Sequence, residues 1–386
     1  MGAGLILAAF TAVLILANLL IADSAYKFIS AIFPKTRRIA VYIIPFLLSL
    51  LMVGFYVLSF RTANTETGYI KNILSFIANV WMGIFIYVFL LTALCRAVML
   101  LCGLFKIIES GTLRKARIIS GGITVVLICA VCIYGFANAA TIKTKTYSIA
   151  LSKPSLKSDI TVALISDLHL GAINSENNLE KTVSAVNALS PDVVCIAGDI
   201  FNDEISSVKN PERVKELFKS ICAKYGVFAC LGNHDGGKTH NEMIKMIKDS
   251  GICLLNDEYE VADNRLIIAG RVDKSPIGGF SGEVRGTEER LLENADTSLP
   301  VIVMDHNPKN IGEYKKADLI LCGHTHRGQI FPGSLITNSM YDCDYGYYRE
   351  SENSPQVIVT SGCGYWGMPM RVGTDCEVVC IKLTGK

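Results

Sequence analysis

Hydrophobic positions follow two regimes along the 386 residues. Up to about residue 142 they form four long, nearly uninterrupted runs, at approximately 3–22, 39–60, 74–95 and 118–140. A bilayer-spanning helix needs about 20 apolar residues, so the pattern predicts about four transmembrane helices. The third run is blurred: Arg96 interrupts apolar sequence that continues to Phe105, as a long tilted helix would explain. Beyond residue 146 the apolar runs shorten and become rich in β-branched residues, as at 161–165, 193–197 and 318–322. Each reads as a buried strand followed by a polar turn. Helices are expected near 178–189, 211–223, 240–249 and 286–295, and shorter strands near 329–331, 356–361 and 376–383. Such alternation predicts an α/β domain of two packed sheets flanked by helices. The expected organisation is a transmembrane region over 1–142 and a folded domain over 146–386. A short basic linker at 141–146 is expected to keep that domain close to the lipid surface.

Composition sharpens this picture. A hydrophobic content of 51% is too high for an ordinary soluble chain, and the excess lies in the first region. The first apolar run lacks a preceding Lys or Arg, so it reads as a retained helix rather than a cleaved signal, although Ala22-Asp23-Ser24-Ala25 has the small residues of a cleavage region. Lys27, Lys35, Arg37 and Arg38 follow the first run. Lys106, Arg114, Lys115 and Arg117 follow the third, with Arg96 nearby, whereas Arg61 and Lys71 alone flank the intervening loop. Positive loops stay in the cytoplasm, which predicts a multi-pass cell-membrane protein with an extracytoplasmic folded domain. Runs one, two and four carry no deep ionisable residue, which favours an anchor or scaffold over a transporter. The formal charge of +2 carries no nucleic-acid-binding signature. Of the thirteen cysteines, nine lie in the folded domain. Cys195, Cys230 and Cys322 read as small core residues, and Cys343, Cys363, Cys376 and Cys380 as freer thiols, some able to pair.

Candidate chemistry lies in the turns after the short strands. Five of the six histidines fall in Asp167-Leu168-His169, Gly232-Asn233-His234-Asp235, Asp305-His306-Asn307 and Gly323-His324-Thr325-His326. Gly198-Asp199 adds a carboxylate. Ligands in open α/β sheets gather at the carboxyl ends of strands, and this mixture of Asp, Asn and His suits hard or borderline divalent metals. Seven side chains, one of them a shared carboxylate, suffice for two ions. Paired ions about 3.5–4 Å apart serve in-line displacement at phosphorus. The sixth histidine, His240, follows Thr239 in Thr239-x-x-Glu242, which reads as a capping box with His240 solvated in the first helical turn.

Together, Asp167-x-His169, Gly198-Asp199, Gly232-Asn233-His234-Asp235, His306 and Gly323-His324-Thr325-His326 resemble the calcineurin-like metallophosphoesterase superfamily. The extensions Arg327-Gly328-Gln329 and Pro369-Met370-Arg371 resemble its bacterial YkuE/YaeI-type subgroup, in which Gly usually occupies the place of Arg327. The resemblance implies a four-layer αββα sandwich and a metal-dependent phosphoester hydrolase. It implies that Asp167, His169 and His326 hold one divalent ion, that Asn233, His306 and His324 hold the other, and that Asp199 bridges them. His234, oriented by Asp235, would act on the substrate rather than bind metal. The ions would be Mn, Fe or Zn, and a metal-bound hydroxide would be the nucleophile, so no Ser or Cys nucleophile is required. Arg327 and Arg371 are candidate contacts to an anionic substrate. Expected partners are membrane lipids and a phosphate or pyrophosphate ester, lipid-linked or from the cell envelope. The alternative is a non-enzymatic membrane receptor or scaffold that uses the same fold for binding.

Overall fold

The computed structural model describes residues 2–61, 68–109, 111–156, 158–202, 204–280, 282 and 284–385. The chain divides into two compact units, Met1–Gly135 and Phe136–Lys386.

The first unit is built from α1 (Gly2–Ile32), α2 (Arg38–Arg61), α3 (Gly68–Leu104) and most of α4 (Leu113–Ala139). All four helices are long and apolar enough to cross a membrane. Helix α3 is continuous through Arg96 and has 37 residues. At ~1.5 Å per residue it exceeds the ~30 Å hydrocarbon core. Helix α1 also runs ten residues past the expected end of the first span, and there the single Asp23 carboxylate pairs with two cations, Lys27 and Arg96. Asp23 accepts from Lys27 at 2.6 Å, from Arg96, and from the Tyr42 hydroxyl at 3.0 Å. No ionisable residue is expected deep in the first run, 3–22; Asp23 and Lys27 lie just past it, within the longer apolar stretch Ala8–Ile32.

The second unit contains two six-stranded sheets. The first comprises β1 (Ile142–Leu151), β2 (Ile160–Ile165), β3 (Val193–Ala197), β4 (Val227–Cys230), β5 (Cys253–Leu254) and β12 (Cys376–Gly385), in the order β1-β12-β2-β3-β4-β5. The second comprises β6 (Glu258–Ala262), β7 (Leu266–Gly270), β8 (Val301–Met304), β9 (Leu319–Cys322), β10 (Gly346–Tyr348) and β11 (Gln356–Val359), in the order β10-β11-β9-β8-β7-β6. The strands that carry the motifs run parallel: β2, β3 and β4 in the first sheet, β8 and β9 in the second. Leu164, Cys195, Ile302, Leu321 and Ile381 belong to the apolar core shared by the two sheets. The other face of the first sheet packs on α5 (Glu176–Ala188), α6 (Pro211–Lys219) and α7 (His240–Asp249), through Val183, Phe218 and Ile247. The far face of the second sheet is covered by Leu291 and Leu292 at the short α8 (Glu288–Leu291) and by Ile311 and Tyr314. The result is the four-layer αββα arrangement.

Several local expectations are corrected. The 141–146 linker is largely strand: β1 begins at Ile142 and pairs with β12 over its whole length. The 286–295 helix is one turn long, and its Glu288 carboxylate is buried, accepting from the backbone N–H groups of Lys315, Lys316 and Ala317. The 329–331 strand is a single bridge, Ile330 to Val372. An unforeseen helix, α9 (Gly333–Met340), follows it. His240 is buried, its Nδ1 donating to the Asp235 carbonyl and its ring stacked on Phe280; the Thr239 hydroxyl accepts from Ile205 N rather than capping α7. All thirteen cysteines are free, and Cys343, Cys363, Cys376 and Cys380 are buried rather than the more accessible thiols expected.

Candidate metal centre

Five strands end at one place. β2 delivers Asp167 and His169, β3 Asp199, β4 Asn233 and His234, β8 His306, and β9 His324 and His326. The turns are tight enough to force unusual backbone. Asp167, His169, Asp199, His324 and His326 all have left-handed φ, between 45° and 72°. Non-glycine residues seldom adopt this conformation, and it concentrates at functional sites. Glycine is required where backbones meet. A Cβ on Gly323 would lie 2.0 Å from Ser166 Oγ and 2.3 Å from Asp167 Oδ2. Gly198, at φ 81°, would place one 2.7 Å from His306 Nδ1.

The side chains form groups of three whose donor atoms all lie within 4.8 Å of one another: Asp167, His169 and His326; Asp199, His306 and His324; and His169, Asp199 and His234. His169 Nε2 and His326 Nε2 are 3.0 Å apart. Two imidazole nitrogens each ~2.0–2.1 Å from a single ion would be separated by about this distance. Asp199 Oδ2 lies 3.2 Å from His306 Nε2 within its own group and 3.6 Å from His169 Nε2 of the first. Asn233 Oδ1 is 2.9 Å from His324 Nδ1.

A resident cation fits these residues. His306 Nδ1 donates to the Ala197 carbonyl at 2.8 Å, which leaves Nε2 facing Asp199. That nitrogen either carries a second proton or offers its lone pair to a metal. Burial works against the charged form of His306, but Asp199 holds its pKa well above the usual imidazole value. Burial also raises Asp199, yet the charge and hydrogen bond of His306 outweigh it and keep Asp199 anionic. Burial holds His169 at about 3 and His324 at about 4, so both are neutral near pH 7, as metal ligands must be. Burial, opposed by His306 and reinforced by Asp199, pushes Asp167 up to about 6.

The residues flanking the cluster depart from expectation. Asp235 does not touch the His234 ring. Its buried carboxylate accepts from Gly232 N at 2.8 Å, Phe201 N at 2.8 Å and Ile200 N at 3.2 Å, clamping the β3 and β4 turns together. His234 is instead oriented by the Asn202 carbonyl, which accepts from Nδ1 at 2.9 Å; its backbone N–H donates to Asp199 Oδ1 at 2.8 Å. Arg371 is not a substrate contact. It is fully buried, and its guanidinium donates to the carbonyls of His326, Ser361 and Gly364 at 3.0, 2.7 and 2.5 Å. Arg327 is exposed, with its guanidinium 4.4 Å from the centre of the Tyr345 ring. Its φ of 50° accounts for the glycine expected at that place.

Two features had no clear sequence signal. Asp305, beside His306, is held by both terminal nitrogens of Arg285, at 3.0 and 2.6 Å, and by the Tyr314 hydroxyl at 2.7 Å. Adjacency to His306 was the single available clue. A 390 Å³ pocket over the cluster is walled by Ile330, Ile336, Trp366 and Met368.

This is the architecture and donor set of a metallophosphoesterase, and sequence comparison gives the family. Residues 160–328 match the calcineurin-like phosphoesterase family. An uncharacterized metallophosphoesterase of Campylobacter jejuni is 32% identical over 260 residues, covering 66% of this chain and 67% of its own length. A Danio rerio transmembrane protein with metallophosphoesterase domain is 27% identical over 358 residues, 88% of this chain and 80% of its own. An uncharacterized metallophosphoesterase of Aquifex aeolicus is 29% identical over 255 residues, 66% of this chain and 96% of its own. The chain belongs to the calcineurin-like phosphoesterase family, whose members use divalent metals.

The electrostatics set a pH dependence. Without a cation, the raised pKa of Asp167 contributes stability that is full below its ordinary value of about 3.9 and lost as pH rises through about 6. A divalent ion held by Asp167 would take the place of that proton. Added Mn²⁺ is therefore expected to raise the melting temperature strongly at about pH 7.5, an effect that shrinks as pH falls through about 6. Thermal melts with Mn²⁺ against chelator across this range check it. A shift independent of pH would detach Asp167 from the cation.

Proposed function

We propose that this protein is a membrane-anchored phosphoesterase with two divalent ions, Mn, Fe or Zn, in which residues 1–142 anchor and residues 146–386 catalyse. One observation carries the reading: the Asp199 carboxylate belongs to the group of His306, 3.2 Å away, and also reaches His169 of the Asp167 group, 3.6 Å away. Asp167, His169 and His326 would hold one ion and Asn233, His306 and His324 the other, with Asp199 shared. When bound, the ions would activate a water and neutralise the phosphoryl oxygens. The remaining work falls to the protein's own groups. His234 has Nδ1 committed to the Asn202 carbonyl, which turns Nε2 toward the pocket. Nε2 is positioned to hold the proton that the leaving oxygen receives. Asp235 and Arg371 keep the ligand-bearing turns in place. The substrate class is a phosphate or pyrophosphate ester, lipid-linked or from the cell envelope. A receptor or scaffold would not need this complete ligand set, which favours the enzyme.

Three experiments test this reading. Asp199→Ala is expected to lower both bound metal and aryl-phosphate hydrolysis, because both ions lose a ligand. Two metals per chain and near-normal turnover in that variant would remove the bridge. His234→Ala is expected to keep its metals and lose roughly 10²–10⁴-fold in rate, the usual contribution of a general acid. The loss should be smallest for esters with acidic leaving groups, which need little protonation; loss of metal would make His234 a ligand instead. For orientation, protease added to intact cells is expected to cut within residues 146–386, as the basic segments near 27–38 and 106–117 imply. Protection until lysis would reverse the topology.

A further inference from the structure

The wall of the metal pocket is apolar, and it continues onto a surface that the fold leaves uncovered. Helix α9 carries Leu335, Ile336 and Met340 yet has no buried residue. Leu335 is 63% exposed, Ile336 61%, Met340 53%, and the neighbouring Phe331 52%. Ile336 and Met340 are one helical turn apart and share a face. Trp366, 54% exposed, extends the surface across the pocket mouth, with its ring 6.1 Å from that of His234. Large side chains exposed together mark an interaction site far more often than isolated ones do.

This helix is not loosely attached. Gly328, two residues beyond His326, meets Gly333 backbone to backbone: a Cβ on Gly328 would lie 2.1 Å from the Gly333 carbonyl carbon. Thr337 Oγ1 donates to Asp344 at 2.7 Å, and the Thr325 hydroxyl donates to the carbonyl of the same residue at 2.6 Å. The apolar surface is thus fixed to the turn that carries two candidate ligands. Among the described residues, the pocket lining also contains no Lys or Arg. Arg327 lies over Tyr345 and Arg371 is buried, so neither supplies a receptor for a second phosphate.

We propose that α9, Phe331 and Trp366 receive the hydrocarbon chain of a lipid phosphoester, while its single phosphate occupies the His- and Asp-lined floor. The proposal takes the phosphate position from the function inferred above and adds the class of the esterified group. A single phosphate suits a pocket whose charge is confined to the floor. A hydrocarbon chain suits a wall of Ile330, Ile336 and Met368 that leads to exposed Leu335 and Phe331. A chain that carries membrane-length helices is placed where such a substrate resides.

The test uses full-length protein in nanodiscs and a series of alkyl phosphates from ethyl to octyl, all below micellar concentrations. The leaving alcohols differ little in chemistry, so chain length is the variable. Binding is read from Trp366 fluorescence in a Trp81→Phe background, and turnover is measured in parallel. Affinity is expected to rise roughly tenfold or more across the series, the gain from burying about two methylene groups. Leu335→Asn and Ile336→Asn are expected to flatten that dependence. Val261→Asn, at another exposed apolar position, should leave it intact. Equal affinity for ethyl and octyl phosphate, or an unchanged dependence in both α9 variants, would overturn the proposal. Chain-length-dependent binding without hydrolysis of any ester would instead sink the enzymatic reading and leave the lipid site standing. Competition by a soluble protein partner, with no discrimination among the esters, would assign the surface to that partner.

Discussion

The second unit is organised around a buried concentration of like chemistry. Asp167, His169, Asp199, His306 and His326 are all buried within one cluster, where burial pushes each group toward its neutral form. Two carboxylates in such a space are tolerable when positive charge lies between or beside them. In the protein alone, the His306–Asp199 pair supplies part of that charge. His169 and His326, whose Nε2 atoms are 3.0 Å apart, are both held neutral by burial and add no charge of their own. The left-handed turns at five candidate ligand positions follow from the same demand, since shorter or straighter turns would not bring donors from both sheets to one point.

Positioning this cluster falls to charged groups that never reach solvent. Asp235 ties three backbone N–H groups from two turns, Arg371 ties three carbonyls, and Arg285 with Tyr314 fixes the carboxylate beside His306. Each is a buried ionisable group whose desolvation is opposed by several directed hydrogen bonds, although burial still raises Asp235 to about 7. Their chemistry resembles that of substrate-binding residues, and their burial is what separates the two roles. Hence motif adjacency suggested Asp235 for His234 and Arg371 for substrate, whereas the structure gives both to the backbone.

That contrast marks what the sequence could and could not carry. The strands were legible because Thr161 to Ile165 and Val193 to Ala197 are continuous apolar runs closed by polar turns. The cluster was legible because parallel strands end on one side, so residues after successive runs must meet. Helix α9 was not, because Ser334, Thr337, Asn338 and Ser339 dilute its apolar residues and nothing buries them. The length of α1 was missed for a different reason. Asp23 and Lys27 read singly as a helix end, but Asp23 is also paired with Arg96, 73 residues away, which ties this part of α1 to α3. Local pattern cannot register a partner supplied by another helix.

Arg327 shows how one backbone requirement can carry a functional consequence. The residue after His326 must take a left-handed φ so that Gly328 can meet Gly333 and start α9 beside the metal turn. Glycine does this without strain; Arg accepts a cost of order 1–3 kcal/mol. Stacking on Tyr345 offsets part of that cost, by about 0.5–1 kcal/mol for an exposed cation–π contact. The stacking also draws the guanidinium away from the pocket. The pocket is consequently left with its cationic demand on the floor and its apolar wall unbroken, which is the division a phosphate with a hydrocarbon substituent needs.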